Sequence, residues 1–169
     1  EGGVDPNEAE QITGLLSATN NFDYFSFGQG NFSLSLENHV PDLYFREGHF
    51  IDLHKRMRAA ANGVPVMALG RIGTAQLAED VIENGNGDLV GMSRALITDA
   101  ALPQKAQLGD IKDIRPCVFD NFSWGEIHLG KPLTEHHNPY LGKKDEAFFR
   151  LKSAEFSKRV VVAGSGPAG

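Results

Sequence analysis

Segments with the pattern of buried strands alternate with segments of helical periodicity along most of this chain. The strand patterns cover residues 22–28, 64–69 and 88–92. The helix patterns cover residues 6–17, 51–62 and 74–83. This alternation is typical of parallel strands joined by right-handed helical crossovers. The sequence therefore predicts an α/β fold, either a doubly wound sheet or a (β/α)8 barrel.

Capping residues and apolar spacing define the expected helices. Asp5 is the expected N-cap of the first helix, and Pro6 is its first helical residue. Residues 28–48 form a long loop of the kind that often carries function. His54 is expected between core and surface. The apolar stripe of the first helix is Ile12, Leu15 and Leu16, and the residues expected to face inward on the third are Leu77, Val81 and Ile82. In the second helix, Ile51, His54, Met57, Arg58 and Ala61 recur at helical spacing.

Composition excludes several classes of partner. A net charge of −6 argues against binding to nucleic acid or to an anionic membrane, because both need clustered basic residues. The single cysteine permits no internal disulfide, and no run of about 18 apolar residues could span a membrane. We therefore expect a cytoplasmic protein. Because the chain begins without Met and stops inside a motif, we also expect it to be part of a longer protein.

Two arginines follow two consecutive strand patterns directly. Gly70 and Arg71 come after residues 64–69, and Ser93 and Arg94 come after residues 88–92. The loops after the last two strands of a (β/α)8 barrel commonly bind phosphate, and guanidinium groups make charge-assisted bonds to phosphate oxygens. The spacing therefore favours a phosphate-bearing ligand. The alternative is that each arginine pairs with a neighbouring carboxylate.

The chain ends in "KRVVVAGSGPAG", which has the pattern of a strand followed by a glycine turn. Residues 160–163 are small and apolar, as in a buried parallel strand. Gly164, Gly166 and Gly169 then follow the G-x-G-x-x-G spacing of dinucleotide-binding folds. The helix that would complete this fingerprint is not part of the sequence.

The stretch "VPVMALGRIGTAQLAEDVIENGNGDLVGMSRALITDAALPQKA", with "DIRPC" after it, resembles the last strands of the barrel in the flavin-dependent old yellow enzyme family. More narrowly, it is similar to the branch of trimethylamine dehydrogenase, histamine dehydrogenase and 2,4-dienoyl-CoA reductase. The resemblance implies three parts. Residues 1–115 would form the C-terminal half of an FMN-binding TIM barrel, and residues 116–157 a degenerate iron–sulfur-type segment and linker. Residues 158–169 would form the first strand and glycine turn of a Rossmann-like FAD- or NAD(P)-binding domain.

The same resemblance implies a cofactor and a reaction. The residues that match the family's FMN phosphate site are Gly70, Arg71, Gly91, Met92, Ser93 and Arg94. The implied activity is hydride transfer through flavin N5, either from an amine or from NAD(P)H to an activated alkene, in a protein that forms homo-oligomers. The reacting side chains of the family lie upstream, so no catalytic residue is assigned here.

The cysteine segment departs from the family pattern. Relatives hold a 4Fe–4S cluster on four cysteines, whereas this chain has only Cys117. The other ligand positions fall on Asp120, on Ser123 or Trp124, and on Glu135 or His136. We therefore expect neither a cluster nor another metal.

Histidines and aromatic residues give weaker indications. His39 and His49 follow the first strand pattern and are expected to be surface residues, although both could border a substrate pocket. His136 and His137 are likewise expected to be solvated. Trp124 is a candidate for a substrate-binding aromatic residue.

Two alternative functions remain open at this point. The chain could be a non-catalytic phosphate-binding module derived from a half barrel. It could also belong to a flavin-free barrel enzyme whose Arg71 and Arg94 clamp a sugar phosphate.

Overall fold

Three short parallel strands form one sheet in the order in which they occur in the chain. The structure is a computed structural model that describes residues 3–144, 146 and 154–166. The strands are β1 (Phe25–Ser26), β2 (Val66–Ala68) and β3 (Leu89–Val90). Phe25 pairs with Val66, and Met67 pairs with Leu89. The predicted α/β class and the parallel arrangement are confirmed, although each strand is shorter than its sequence pattern.

Helices precede, connect and follow the strands. They are α1 (Pro6–Ser17), α2 (Leu36–His39), α3 (Ile51–Ala60), α4 (Ala75–Glu83), α5 (Ser93–Thr98), α6 (Leu102–Leu108) and α7 (Phe122–His128), with a 3-10 turn at Ile111–Asp113. Asp5 caps α1 as predicted, because its Oδ1 accepts hydrogen bonds from the backbone N–H groups of Asn7 (2.7 Å) and Glu8 (3.0 Å). Thr74 caps α4 through the N–H of Leu77 at 3.2 Å.

The core packs against β2 in two clusters. Phe25, Ala61 and Val66 form one buried cluster between β1, α3 and β2. Ala68, Ile72 and Val81 form a second cluster between β2 and α4. β2 is therefore the central strand of the described part of the chain, and both clusters pack against the face that Val66 and Ala68 share.

The inward face of α1 differs from the prediction. Ile12, Leu15 and Leu16 are 39%, 73% and 38% exposed, whereas Thr13 and Ser17 are buried. The Thr13 hydroxyl donates to the carbonyl of Ala9 at 2.7 Å, and the Ser17 hydroxyl donates to the carbonyl of Ala61. Small side chains with satisfied hydroxyls allow α1 to pack closely against α3, so the predicted apolar stripe is wrong.

Two further predictions of burial, those for His54 and Ile82, are wrong. His54 is completely buried rather than lying between core and surface. Arg58 is exposed and forms an ion pair with Asp88 at 2.9 Å, which joins the end of α3 to the start of β3. On α4, Val81 is buried as predicted, but Ile82 is 41% exposed because only one side of this helix contacts the sheet.

Residues 154–166 contain no strand in this structure. Val160, Val161 and Val162 are all more than 60% exposed, and Gly164 has a φ of +143°. A parallel strand requires neighbouring backbone groups, and residues 160–163 find none among the described residues. The predicted terminal strand is therefore not formed here, Gly166 is exposed, and Gly169 lies outside the described residues.

None of the described helices has both the length and the apolar character needed to cross a membrane.

Candidate functional site

A cavity of about 540 Å³ lies at the carboxyl ends of β2 and β3. Its lining includes all six residues that the sequence analysis assigned to a phosphate site: Gly70, Arg71, Gly91, Met92, Ser93 and Arg94. The walls also come from the last residue of α2 and the two residues after it, His39, Val40 and Pro41, and from residues 117–135. The structure thus brings the residues of two neighbouring strand ends together in one concave site.

Arg71 is placed by a tight turn after β2. Gly70 has a φ of +105° and Arg71 a φ of +55°, so both residues adopt left-handed backbone conformations. A Cβ atom at position 70 would lie 2.8 Å from Cδ2 of Phe50, which explains why glycine is needed there. The Arg71 carbonyl accepts a hydrogen bond from the N–H of Gly48 at 3.1 Å. This bond fixes the turn against the start of α3.

Arg94 lies at the start of α5 and is held by two oxygen atoms. Its NH1 donates to the carbonyl of Pro41 and to Oδ1 of Asn121, both at 2.7 Å. Burial lowers the pKa of the Arg94 guanidinium and the positive charge of Arg71 lowers it further, whereas Cys117 and Asp42 oppose this shift. The group remains protonated at neutral pH, since the ordinary pKa of arginine is above about 12.

Neither arginine of the cavity is neutralised by a carboxylate. Among the residues that the structure describes, no Asp or Glu lies within ion-pairing distance of Arg71 or Arg94. The Nε of Arg71 is buried and has no hydrogen-bond partner. The alternative that each arginine serves a neighbouring carboxylate is therefore wrong for this part of the chain. Arg71 and Arg94 therefore give this part of the cavity a positive charge that no ion-paired carboxylate offsets among the described residues.

The remaining residues of the predicted site shape the floor and rim. The N–H of Gly91 donates to the carbonyl of Ala68 at 2.8 Å, so it is already engaged in the backbone. Met92 packs against the core cluster beside β2, and the exposed Ser93 is the first residue of α5.

Phe119 contacts both arginines and was not found from the sequence. The guanidinium carbon of Arg71 lies 5.2 Å from the centroid of its ring, and that of Arg94 lies 4.6 Å away. Phe119 is 4% exposed and has a φ of +56°. A buried phenylalanine in a left-handed conformation leaves no pattern in a sequence, so no sequence signal could have identified it.

The predicted ligand positions of the cysteine segment are joined in pairs by hydrogen bonds. Nδ1 of His136 lies 2.8 Å from Oδ2 of Asp120, and the Ser123 hydroxyl lies 3.0 Å from Oε2 of Glu135. Cys117 lines the cavity as a free thiol. Within residues 3–144 and the other described positions, no group of three metal-binding side chains could hold a metal ion.

Trp124 lies in the wall of the cavity, next to the cysteine segment. Ring centroids of His128 and Phe32 lie 4.2 Å and 5.8 Å from that of Trp124. His39 is exposed and lines the same cavity. His49 does not line it: this half-buried side chain packs between Phe45 and Phe50, so the expectation of a surface residue is wrong for His49.

His54 supports the strand end from behind. Its Nε2 lies 2.8 Å from the carbonyl oxygen of Leu69 and 3.2 Å from the backbone nitrogen of the same residue. Burial lowers the pKa of His54, although the hydrogen bond with Leu69 opposes this effect. A neutral imidazole therefore contacts the residue that directly precedes Gly70.

A buried carboxylate anchors the segment that covers the cavity. Asp99 accepts hydrogen bonds from Nζ of Lys105 at 2.6 Å and from the N–H of Arg115 at 2.9 Å. The Arg115 guanidinium reaches Oδ1 of Asn138 at 3.1 Å. These contacts join the loop after α5 to both ends of residues 115–138, from which Phe119 and Asn121 reach the arginines.

The parallel strands, the crossover helices and the cavity at the carboxyl strand ends are the arrangement of part of an α/β barrel with its ligand site at that end. Residues 46–113 match the NADH:flavin oxidoreductase / NADH oxidase family. The chain therefore carries a segment of this flavin oxidoreductase family, and the family resemblance predicted from the sequence is confirmed.

Curated relatives match over nearly the whole chain. The chain is 30% identical to a probable N-methylproline demethylase of Rhizobium meliloti over 99% of its length and 25% of that protein. It is also 30% identical to an NADH oxidase of Thermoanaerobacter brockii, over its full length and 26% of that protein. The chain thus spans about a quarter of the length of these relatives.

Solved structures align with the fold. Histamine dehydrogenase from Rhizobium sp. 4-9 superposes with a TM-score of 0.71 at 25% identity, covering 80% of this chain and 19% of that one. A 2-naphthoyl-CoA reductase in complex with 2-naphthoyl-CoA gives a TM-score of 0.72 at 23% identity, with coverage of 84% and 21%. The three strands therefore correspond to part of a larger barrel in both structures.

Proposed function

We propose that this chain belongs to an FMN-dependent oxidoreductase and that it supplies the site for the FMN phosphate. The observation that carries the proposal is the convergence of Arg71 and Arg94 on one cavity without a carboxylate partner among the described residues. The buried, unpartnered Nε of Arg71 is a donor that lacks an acceptor, as expected if an anion completes the site.

The residues of the cavity fit a phosphate by charge and by shape. Arg71 and Arg94 would hold the phosphate oxygens, and the turn at Gly70 lets the backbone approach without a side chain. Bound FMN would supply the hydride chemistry of the reaction, because flavins accept and donate hydride at N5. The work of this chain's own residues is to bind and orient the phosphate end of the cofactor.

Two reaction classes are consistent with the relatives. One relative is an N,N-dimethylglycine/sarcosine dehydrogenase of Chromohalobacter salexigens, and another is a cinnamate reductase of Clostridium sporogenes. We propose a small-molecule substrate that is either an amine to be oxidised or an activated alkene to be reduced.

The proposal extends to the rest of the protein. We propose that Gly164, Gly166 and Gly169 open a site for FAD or NAD(P), and that the intact protein forms homo-oligomers. Light scattering on the purified protein measures its oligomeric state, and flavin released by denaturation identifies its cofactors.

A flavin-binding experiment on the intact protein tests the phosphate site. Arg71→Gln and Arg94→Gln each remove a charged donor, and each is expected to weaken FMN binding about 10- to 100-fold, since a hydrogen bond to a charged group contributes about 1.5–3 kcal/mol. Arg46→Gln is the matched control, because Arg46 is exposed and lies outside the cavity lining. Fluorescence quenching of the flavin on titration gives the dissociation constants.

Ribose 5-phosphate provides the competing measurement. If it binds while FMN does not, the protein is a flavin-free sugar-phosphate enzyme and the proposal is contradicted. If neither ligand binds, the phosphate site itself is contradicted.

A further inference from the structure

The ring of Phe119 lies at the centre of the positively charged part of the cavity. Guanidinium carbons of Arg71 and Arg94 lie 5.2 Å and 4.6 Å from its centroid, within the range of cation–π contacts. One aromatic ring therefore contacts both cations of the site.

The backbone at Phe119 is unfavourable for the residue that occupies it. Its φ of +56° lies in the left-handed region, where a Cβ atom is crowded by the backbone, and Asn121 nearby has a φ of +59°. The ring also approaches Gly73 so closely that a Cβ atom there would lie 2.6 Å from Cε2 of Phe119. Surrounding contacts must hold this conformation, and those contacts include the two arginines.

Two neighbouring cations without a carboxylate partner repel each other when no ligand is bound. The negative face of an aromatic ring attracts guanidinium groups without neutralising them. A carboxylate in the same place would hold the arginines more strongly, but it would compete with an anionic ligand. A ring positions the cations and leaves their charge available.

We propose that Phe119 is a positioning residue of the anion site, whose ring holds the guanidinium groups of Arg71 and Arg94 towards one phosphate. This inference rests on the proposed FMN site. Asn121 assists on one side, because its Oδ1 accepts from Arg94 and its Nδ2 donates to the carbonyl of Val40 at 2.9 Å. The segment after Cys117 therefore completes a site that the strand ends begin.

Comparison of FMN with riboflavin tests the inference, because riboflavin has the same ring system without the phosphate. In the intact protein, Phe119→Leu is expected to weaken FMN binding about 5- to 30-fold, as two partly desolvated cation–π contacts are lost. Riboflavin binding is expected to change less than about twofold, since riboflavin has no phosphate for Arg71 and Arg94 to bind. Flavin fluorescence quenching gives both dissociation constants.

Further variants separate positioning from folding. Phe119→Gly removes the ring and also removes the steric cost of the left-handed backbone conformation. This variant is therefore expected to fold and to lose the preference for FMN over riboflavin. Phe119→Tyr keeps the aromatic face and is expected to retain that preference. Phe122→Leu is the matched control, because Phe122 stacks on His136 and contacts neither arginine.

Two results would overturn the inference while the proposed function stands: an unchanged preference for FMN in Phe119→Leu and Phe119→Gly, or an equal loss of FMN and riboflavin binding in both. A wild-type protein that binds FMN no more tightly than riboflavin would contradict the proposed function itself, and this inference with it.

Discussion

Among single residues, His54 shows how a buried side chain supports the cavity without lining it. Its imidazole is fully buried and contacts the backbone of Leu69, one residue before the turn that places Arg71. Burial lowers its pKa below the usual 6.5, so the folded protein takes up a proton on His54 less readily than the unfolded chain. The neutral form of His54 therefore stabilises the fold above about pH 6.5.

The lowered pKa of His54 predicts a pH dependence of stability. As the pH falls from 6.5 towards the pKa in the folded state, the unfolded chain binds more protons, and the free energy of unfolding decreases. His54→Gln removes this titration, so the loss of stability between pH 7.5 and 5.5 is expected to be smaller in the variant than in the wild type. Urea unfolding at both pH values measures the difference. Parallel pH profiles would contradict the prediction.

Some residues of the cavity could be predicted from the sequence and others could not. Arg71 and Arg94 were predictable because each directly follows a strand pattern, and parallel strands place their carboxyl ends at one edge. Phe119, Asn121 and Pro41 were not, because they come from irregular segments without periodicity. Their approach to the arginines depends on tertiary packing alone.

At the scale of elements, the order of helices and strands was predictable, but the faces of the helices were only partly so. Val81 is buried on α4 as the pattern predicts, whereas α1 buries Thr13 and Ser17 instead of its leucines. Hydrophobic spacing indicates an amphipathic helix, but the distance to α3 decides which side chains fit between them. Strand lengths were overestimated because ladder pairing ends where a neighbouring strand ends.

The attachment of residues 115–138 to the sheet depends on Asp99. Burial raises the pKa of this carboxyl, but hydrogen bonds from Lys105 and from the N–H of Arg115 outweigh burial, and the net shift is downward. Asp99→Asn removes the carboxylate that pairs with the half-buried ammonium group of Lys105 and leaves that group only the carbonyl of Asp113, so we expect a loss of about 3 kcal/mol in the free energy of unfolding.

Chemical denaturation measures the effect of Asp99→Asn. Asp52→Asn is the control, because Asp52 forms an ion pair with Arg46 at the surface and is 86% exposed. The midpoint of the control is expected to stay near that of the wild type. If both variants unfold at the wild-type midpoint, Asp99 does not anchor the segment.

At the scale of the whole molecule, the chain combines part of a barrel with the proposed anion-binding end of one cofactor site. The chain spans about a quarter of its curated relatives, and its three strands align with part of the barrel of histamine dehydrogenase. Two strand ends and one irregular segment supply the arginines and the ring that contacts them. The central proposal is therefore local: Arg71 and Arg94 together would bind one phosphate group.

A structure of the intact protein with FMN bound tests that claim most directly. We expect the phosphate of FMN to lie in the cavity, with oxygen atoms within hydrogen-bond distance of the guanidinium groups of both Arg71 and Arg94. An FMN phosphate bound elsewhere, with these two arginines facing solvent or another side chain, would contradict the account.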